Sequence, residues 1–361
     1  MKKYIGPTGP KREENMVKVR KAMVLLMGVM FMCALIPALT VVAQAQVIEL
    51  KYASPYAPAH NYSVADLAWI AKIEKETNGK VKIKPYWNGT LISSRESMTE
   101  LSKGVADVAF VTPIYEKSGV DLTKAILDFF TDSNPAVNAK IYWELFAKFP
   151  EIRNEYDKVK ILAVNVGAPM FLMTSKKPVK TLDDLKGMRI RVTGNAMMRT
   201  FKTLGAEPVG MPVVEMLESM QKGIIQGVLF AHGDYKALKL AETVKFETEN
   251  FVQDRGIYVS RAMNKETWAK LPADVQKVFD ANRDWYGETI YKESFKPEDE
   301  GKAMAVKAGV QFVKMDAAGL KKYSDTLDAE NLVECKALDA KGLPGTKIYE
   351  EARRLVKQYN K

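Results

Sequence analysis

Cysteine is almost missing: the 361 residues hold two, Cys33 and Cys335. A disulfide framework and a cysteine-built metal site are thereby excluded. Histidine is equally scarce, with only His60 and His232, and neither has a Cys or carboxylate at ligand spacing, so no zinc site is expected. Absent too are the GxSxG elbow, HExxH, the GxxxxGK phosphate loop and GxGxxG. Nothing here asks for an enzyme, and no metal or cofactor is expected. Asp183 and Asp184 read as helix-capping residues rather than as an acid–base couple. Met197, Met198, Met211, Met216 and Met220 read as core filler on helices before they read as a metal box. The net charge is +10, yet no Lys/Arg cluster with interleaved aromatics is present, which argues against a nucleic-acid partner.

There is one long apolar run. Lys11, Arg12, Lys18, Arg20 and Lys21 precede it, it spans residues 22–42, and Ala43-Gln44-Ala45 follows. Those are the three parts of a secretory signal peptide, with cleavage expected after Ala45 and export to the periplasm. The rival reading is an uncleaved anchor, because the run is long enough to cross a bilayer. Pro37 and the Ala-Gln-Ala site favour cleavage, and Met16 is a second candidate start. Residues 1–45 carry seven basic and two acidic side chains, which leaves 47 Lys and Arg against 42 Asp and Glu. Most of the basicity belongs to the leader. Cys335 then stands alone, and an inert packed thiol is expected.

The rest alternates strand and helix. Residues 47–53 read as a strand, closed by the turn Ser54-Pro55-Tyr56-Ala57-Pro58. Val64, Leu67, Ala68 and Ala71 form the stripe of a half-buried helix, residues 81–87 a second strand, and Ser93 with Glu96 a capping box. A third strand covers 106–111. Asn134-Pro135 opens a helix to Lys148, and strands at 159–166 and 170–174 follow. Residues 256–263 read as a strand returning to the first group, and Pro272 begins a long helical pattern toward Ile290. This order requires an α/β fold with mainly parallel sheets covered on both faces. The expected division is 46–165 plus 256–290 for a first, discontinuous domain, 166–255 for a second, and 291–361 for a C-terminal helical segment packed on both.

Residues 179–230 carry the strongest signal. Thr181 with Asp184 caps a short helix, Gly187 ends it, residues 188–192 form a strand, and Gly194 and Asn195 break into a helix that runs to Gly205. Arg191 therefore falls at the carboxyl end of a strand, facing a helix amino terminus. A fixed guanidinium beside free backbone N–H groups suits a carboxylate.

The run Asp184-Leu185-Lys186-Gly187-Met188-Arg189-Ile190-Arg191-Val192, then Leu204-Gly205-Ala206-Glu207-Pro208-Val209 and Gln221-Lys222-Gly223-Ile224-Ile225-Gln226-Gly227, resembles the DctP-type periplasmic solute-binding proteins of tripartite ATP-independent periplasmic (TRAP) transporters. Glu76-Thr77-Asn78-Gly79-Lys80-Val81, Gly104-Val105-Ala106-Asp107-Val108 and Trp268-Ala269-Lys270-Leu271-Pro272 fit the same family. The resemblance implies a two-domain periplasmic-binding-protein-like fold, with a long helix bracing both domains. It implies a receptor, not an enzyme, that holds an organic acid in a closing cleft and hands it to membrane permease subunits. Its Arg pairs with the solute carboxylate, and Arg191 occupies that place. A receptor serving an ATP-driven uptake system or a sensor kinase stands as the alternative, and either a monomer or a dimer is compatible.

Departures bear on the solute. Sialic-acid-binding members carry a second Arg and an Asn where this chain has Phe171 and Phe230, and an acidic position is replaced by Thr112. A single carboxylate anchor with aromatic walls is expected, hence a monocarboxylate with an apolar or aromatic body, such as a 2-oxo or aromatic acid. A C4-dicarboxylate is the alternative. Tyr115, Trp87, Tyr56, Asn195 and His232 complete the expected site.

Overall fold

The computed structural model describes residues 47–130 and 134–360, with Met1 ahead of them. The expected signal peptide, its cleavage after Ala45, and Cys33 lie outside the described residues.

Eleven strands among the described residues form two sheets. They are β1 (Ile48–Ala53), β2 (Val81–Tyr86), β3 (Val108–Phe110), β4 (Val159–Val164), β5 (Met170–Thr174), β6 (Arg189–Arg191), β7 (Glu207–Val209), β8 (Gly227–Phe230), β9 (Phe246–Gln253), β10 (Val259–Asn264) and β11 (Gln311–Val313). The first sheet has the order β2-β1-β3-β10-β4 and the second β11-β9-β5-β8-β6-β7. Each is parallel except for one strand: β10 runs against β3 and β4, and β5 against β8 and β9. These two strands come straight after the chain passes from one sheet to the other, through residues 165–169 and 254–258. Each enters its new sheet from the shared side, against the direction of its neighbours. The carboxyl ends of β3, β4, β6, β8 and β9 consequently meet the crossing segments between the sheets. Ligands of open α/β sheets sit at such ends.

The first sheet is covered on both faces. The helix Asn61–Glu76 packs on one face with Ala273–Ala281 and Arg283–Phe295, and Pro135–Lys148 with Gly345–Tyr359 covers the other. The stripe buried on Asn61–Glu76 differs from the expected one. Tyr62, Ala65, Asp66, Trp69, Ile70 and Ile73 face inward, whereas Val64 and Leu67 are exposed. The reason is Asp66, whose polarity hides the true stripe in a hydropathy reading. Its carboxylate accepts from Arg261 Nε (3.0 Å), Tyr286 (2.6 Å) and Tyr52 (2.5 Å) with no solvent contact. The Arg261 guanidinium also lies over the Phe110 ring at 4.1 Å.

Two other expectations change. The capping box at Ser93 and Glu96 is not formed, because Glu116 arrives from outside the helix Ser97–Ser102 and accepts from Met98 N at 2.8 Å. The helical pattern after Pro272 breaks at Asn282, whose amide donates to Val278 O and to Glu76 of the facing helix, leaving two helices in place of one. The capping box of Thr181 and Asp184 is present, as is the Asn134 cap before Pro135.

The bracing helix is Ala317–Ala340, 24 residues long. On the second-sheet side Arg199 pairs with Glu330 (2.9 Å) and Glu334 (2.7 Å). On the first-sheet side Asn331 donates to Asp128 O at 2.9 Å, and Cys335 is sealed in the core. The C-terminal segment is more than helical: β11 joins the second sheet beside β9.

Candidate functional site

Between the sheets lies a cavity of about 60 Å³, walled by Tyr56, Tyr62, Thr112, Tyr115, Asn165, Met170, Arg191, Phe230, Arg255 and Tyr258 among others. Arg191 ends β6 and is 5% exposed. Its Nη2 donates to the Tyr115 hydroxyl at 2.6 Å and, with Nε, to Met211 O at 3.1 and 3.2 Å. Its guanidinium carbon stands 5.3 Å from the centre of the Phe230 ring. Among the described residues no carboxylate pairs with it. A buried cation without a counter-charge is costly.

The helix amino terminus beside Arg191 is not free, contrary to expectation. Asp128 reaches across from the first-sheet side and accepts from Met197 N at 3.0 Å. Gly194, at φ +94°, permits this, because a Cβ there would overlap the Asp128 carboxylate. Burial pushes the Asp128 carboxyl up to about 7, against the pull of its backbone donors.

A second guanidinium lines the same cavity. Arg255, in the crossing segment after β9, pairs with Asp234 at 2.8 Å and donates to the Tyr62 hydroxyl at 3.3 Å. Gly167 lets the opposite crossing segment pass, since a Cβ there would strike the Arg255 side chain and the Tyr62 hydroxyl. His60 Nε2 lies 3.9 Å from Asp234, but burial depresses its pKa to about 4, so the ring is neutral and Asp234 serves Arg255. Arg255 is thus compensated where Arg191 is not.

Of the expected site residues, the cavity gathers Arg191, Phe230, Thr112, Tyr115 and Tyr56. Thr112 hydrogen-bonds Ser94 O and Ser97, and Tyr56 stacks on His60 at 4.1 Å. Phe171, His232, Trp87 and Asn195 lie outside it. The Phe171 ring is turned onto His232 (4.1 Å), and His232 is held at 2.8 Å by Glu247 within the second-sheet half. Trp87 packs edge-on against Tyr52. Asn195 donates to Glu334 of the bracing helix at 2.8 Å. Arg255, Asn165, Tyr62 and Tyr258 were not anticipated. A polar residue inside the apolar run Leu162-Ala163-Val164-Asn165-Val166 was the available signal for Asn165. Arg255 carried none, being one charge in an apparent loop.

A family model described as bacterial extracellular solute-binding protein, family 7 (DctP), matches residues 52–330. The chain belongs to the DctP family. It is similar to the C4-dicarboxylate-binding periplasmic protein DctP of Rhodobacter capsulatus, 27% identical over 255 residues, which covers 67% of this chain and 73% of that one. The match to YiiZ of Salmonella typhimurium, 29% identical, takes in 43% of this chain and spans about half of that relative, 48% of its length. Among solved structures, a TRAP periplasmic solute-binding protein from Desulfovibrio salexigens superposes with a TM-score of 0.68 at 27% identity, over 86% of this chain and 96% of that one. One from Rhodoferax ferrireducens does so at 0.75 and 23%, over 87% and 99%. DctP proteins are periplasmic receptors that bind small organic acids and work with the membrane permease subunits of TRAP transporters, and they are not enzymes. No helix among the described residues is long and apolar enough to cross a membrane.

Proposed function

We propose that this receptor captures a small monocarboxylate with an apolar or aromatic body, in the class of 2-oxo or aromatic acids, and closes its two domains over it. The observation that carries this reading is the buried Arg191 guanidinium, which faces a cavity, has no carboxylate partner among the described residues, and lies beside Phe230. Size supports a small acid, because the cavity is compact, about 60 Å³. Charge supports one carboxylate, because Arg255 is already neutralised by Asp234. The relatives point two ways. The Rhodobacter capsulatus protein is named for C4-dicarboxylates, and the Rhodoferax ferrireducens structure holds copurified benzoate. The choice for this chain rests on its own cavity.

Calorimetry with a panel of mono- and dicarboxylates tests the reading. A monocarboxylate should bind in the micromolar range or tighter, and Arg191→Lys should weaken it by roughly 30-fold or more, since losing a bidentate partner of a buried charge costs about 2–5 kcal/mol. Tight binding of succinate or of a sugar acid alone overturns it.

A further inference from the structure

We propose that Asn165 is a specificity-determining residue and that the solute is a hydroxy acid, with a hydroxyl that pairs with the Asn165 amide while its carboxylate meets Arg191. The inference rests on the receptor reading above and goes further by naming a second polar group on the solute.

Asn165 follows β4 in the first crossing segment. It is 2% exposed, and it is one of the residues that line the cavity. Its backbone N–H donates to Tyr258 O at 2.8 Å, which fixes the residue. Its Oδ1, by contrast, has no hydrogen-bond partner. Buried polar side chains are nearly always paired, and an exception calls for an explanation. The residue lines the same cavity as the uncompensated guanidinium, and a polar group of the solute is the partner we assign to the amide. Asn165 sits in a crossing segment and Arg191 in the second-sheet half, so a solute touching both bridges the junction between the sheets.

The chemistry of the amide selects the complement. Whichever way it is turned, it presents one acceptor and one donor group side by side. A hydroxyl satisfies both. A hydrocarbon leaves both unpaired, and a second carboxylate, which only accepts, sets an anionic oxygen against Oδ1. Met170 and Phe230 line the same cavity and leave the remainder of the solute apolar surroundings.

The test is calorimetry on the purified protein with acids matched in skeleton, with and without a hydroxyl: lactate and propionate, mandelate and phenylacetate, 3-hydroxybenzoate and benzoate. In at least one pair the hydroxylated member should bind the wild type about 10- to 100-fold tighter. Asn165→Leu should erase that ratio, and should raise the melting temperature of the ligand-free protein by removing an unpaired buried amide oxygen. Equal binding within every wild-type pair overturns the assignment without recourse to a variant, and so does a ratio that survives in Asn165→Leu. If no acid binds in any pair, the carboxylate-receptor reading has failed and takes this one with it. If acids bind without discrimination, only the role of Asn165 falls.

Discussion

Arg261 and Arg191 are both buried, and only one of them has a counter-charge. Arg261 has Asp66, with Tyr52 and Tyr286 completing the carboxylate's shell. Removing that charge leaves the guanidinium stranded, so Asp66→Asn should destabilise the fold by about 3–5 kcal/mol, read as a lower urea midpoint at unchanged slope. Arg191 is the reverse case, held ready by neutral oxygens of Tyr115 and Met211. The place of Arg191 at the end of a strand was legible because strand, glycine and helix punctuation lie close around it in the chain. The Arg255–Asp234 pair was not, because it depends on how the chain crosses back between the sheets, which no local pattern records. Phe171 shows the complementary limit. An alignment position places it near the cleft, but only packing decides that its ring turns to His232.

Some helices here begin on carboxylates supplied by other elements. Asp128 caps Asn195–Thr203, and Glu155 accepts from Leu122 N and Thr123 N at the start of Asp121–Ile126. Burial raises both carboxyls to about 7. A carboxyl whose pKa is higher in the folded than in the unfolded state takes up a proton on folding. Its contribution is therefore full below about pH 4 and falls as pH rises toward 7. His60 works oppositely: depressed to about 4, it makes stability rise between roughly pH 4 and 6.5. In Asp128→Asn the share of the first dependence that Asp128 contributes should vanish. The unfolding free energy of the variant relative to wild type, from urea melts, should climb from pH 4 to 7, by no more than about 1.4 kcal/mol per pH unit, and a flat difference would contradict the raised pKa. Borrowed caps explain why local signatures misled. Ser93 and Glu96 have the right spacing for a capping box, yet Glu116 occupies that helix end. Where cap and helix are neighbours in sequence, as at Thr181–Asp184 and Asn134–Pro135, the reading held.

Across the whole molecule, the two halves touch around the cavity through Tyr115 with Arg191, Asp128 with Met197, and Arg95, whose Nη2 meets both carboxylate oxygens of Glu215 at 2.9 and 2.8 Å. The Arg95–Glu215 pair is exposed, and exposed pairs are worth about 0.2–1 kcal/mol and fade with salt. If it helps hold the closed form, Arg95→Ala should weaken solute binding about two- to fivefold at low ionic strength and hardly at all in 1 M salt. X-ray scattering should show the wild type contracting on saturation with solute, and an unchanged radius of gyration would count against hinge closure. The sealed thiol of Cys335 has a practical corollary. Burial raises its pKa to about 12, and it is packed where the bracing helix meets the first-sheet core, so no thiolate is available to attack a disulfide reagent such as Ellman's while the fold is intact. In a chain that starts after Ala45, the release of colour would time the opening of this core, an unfolding clock that needs no added label.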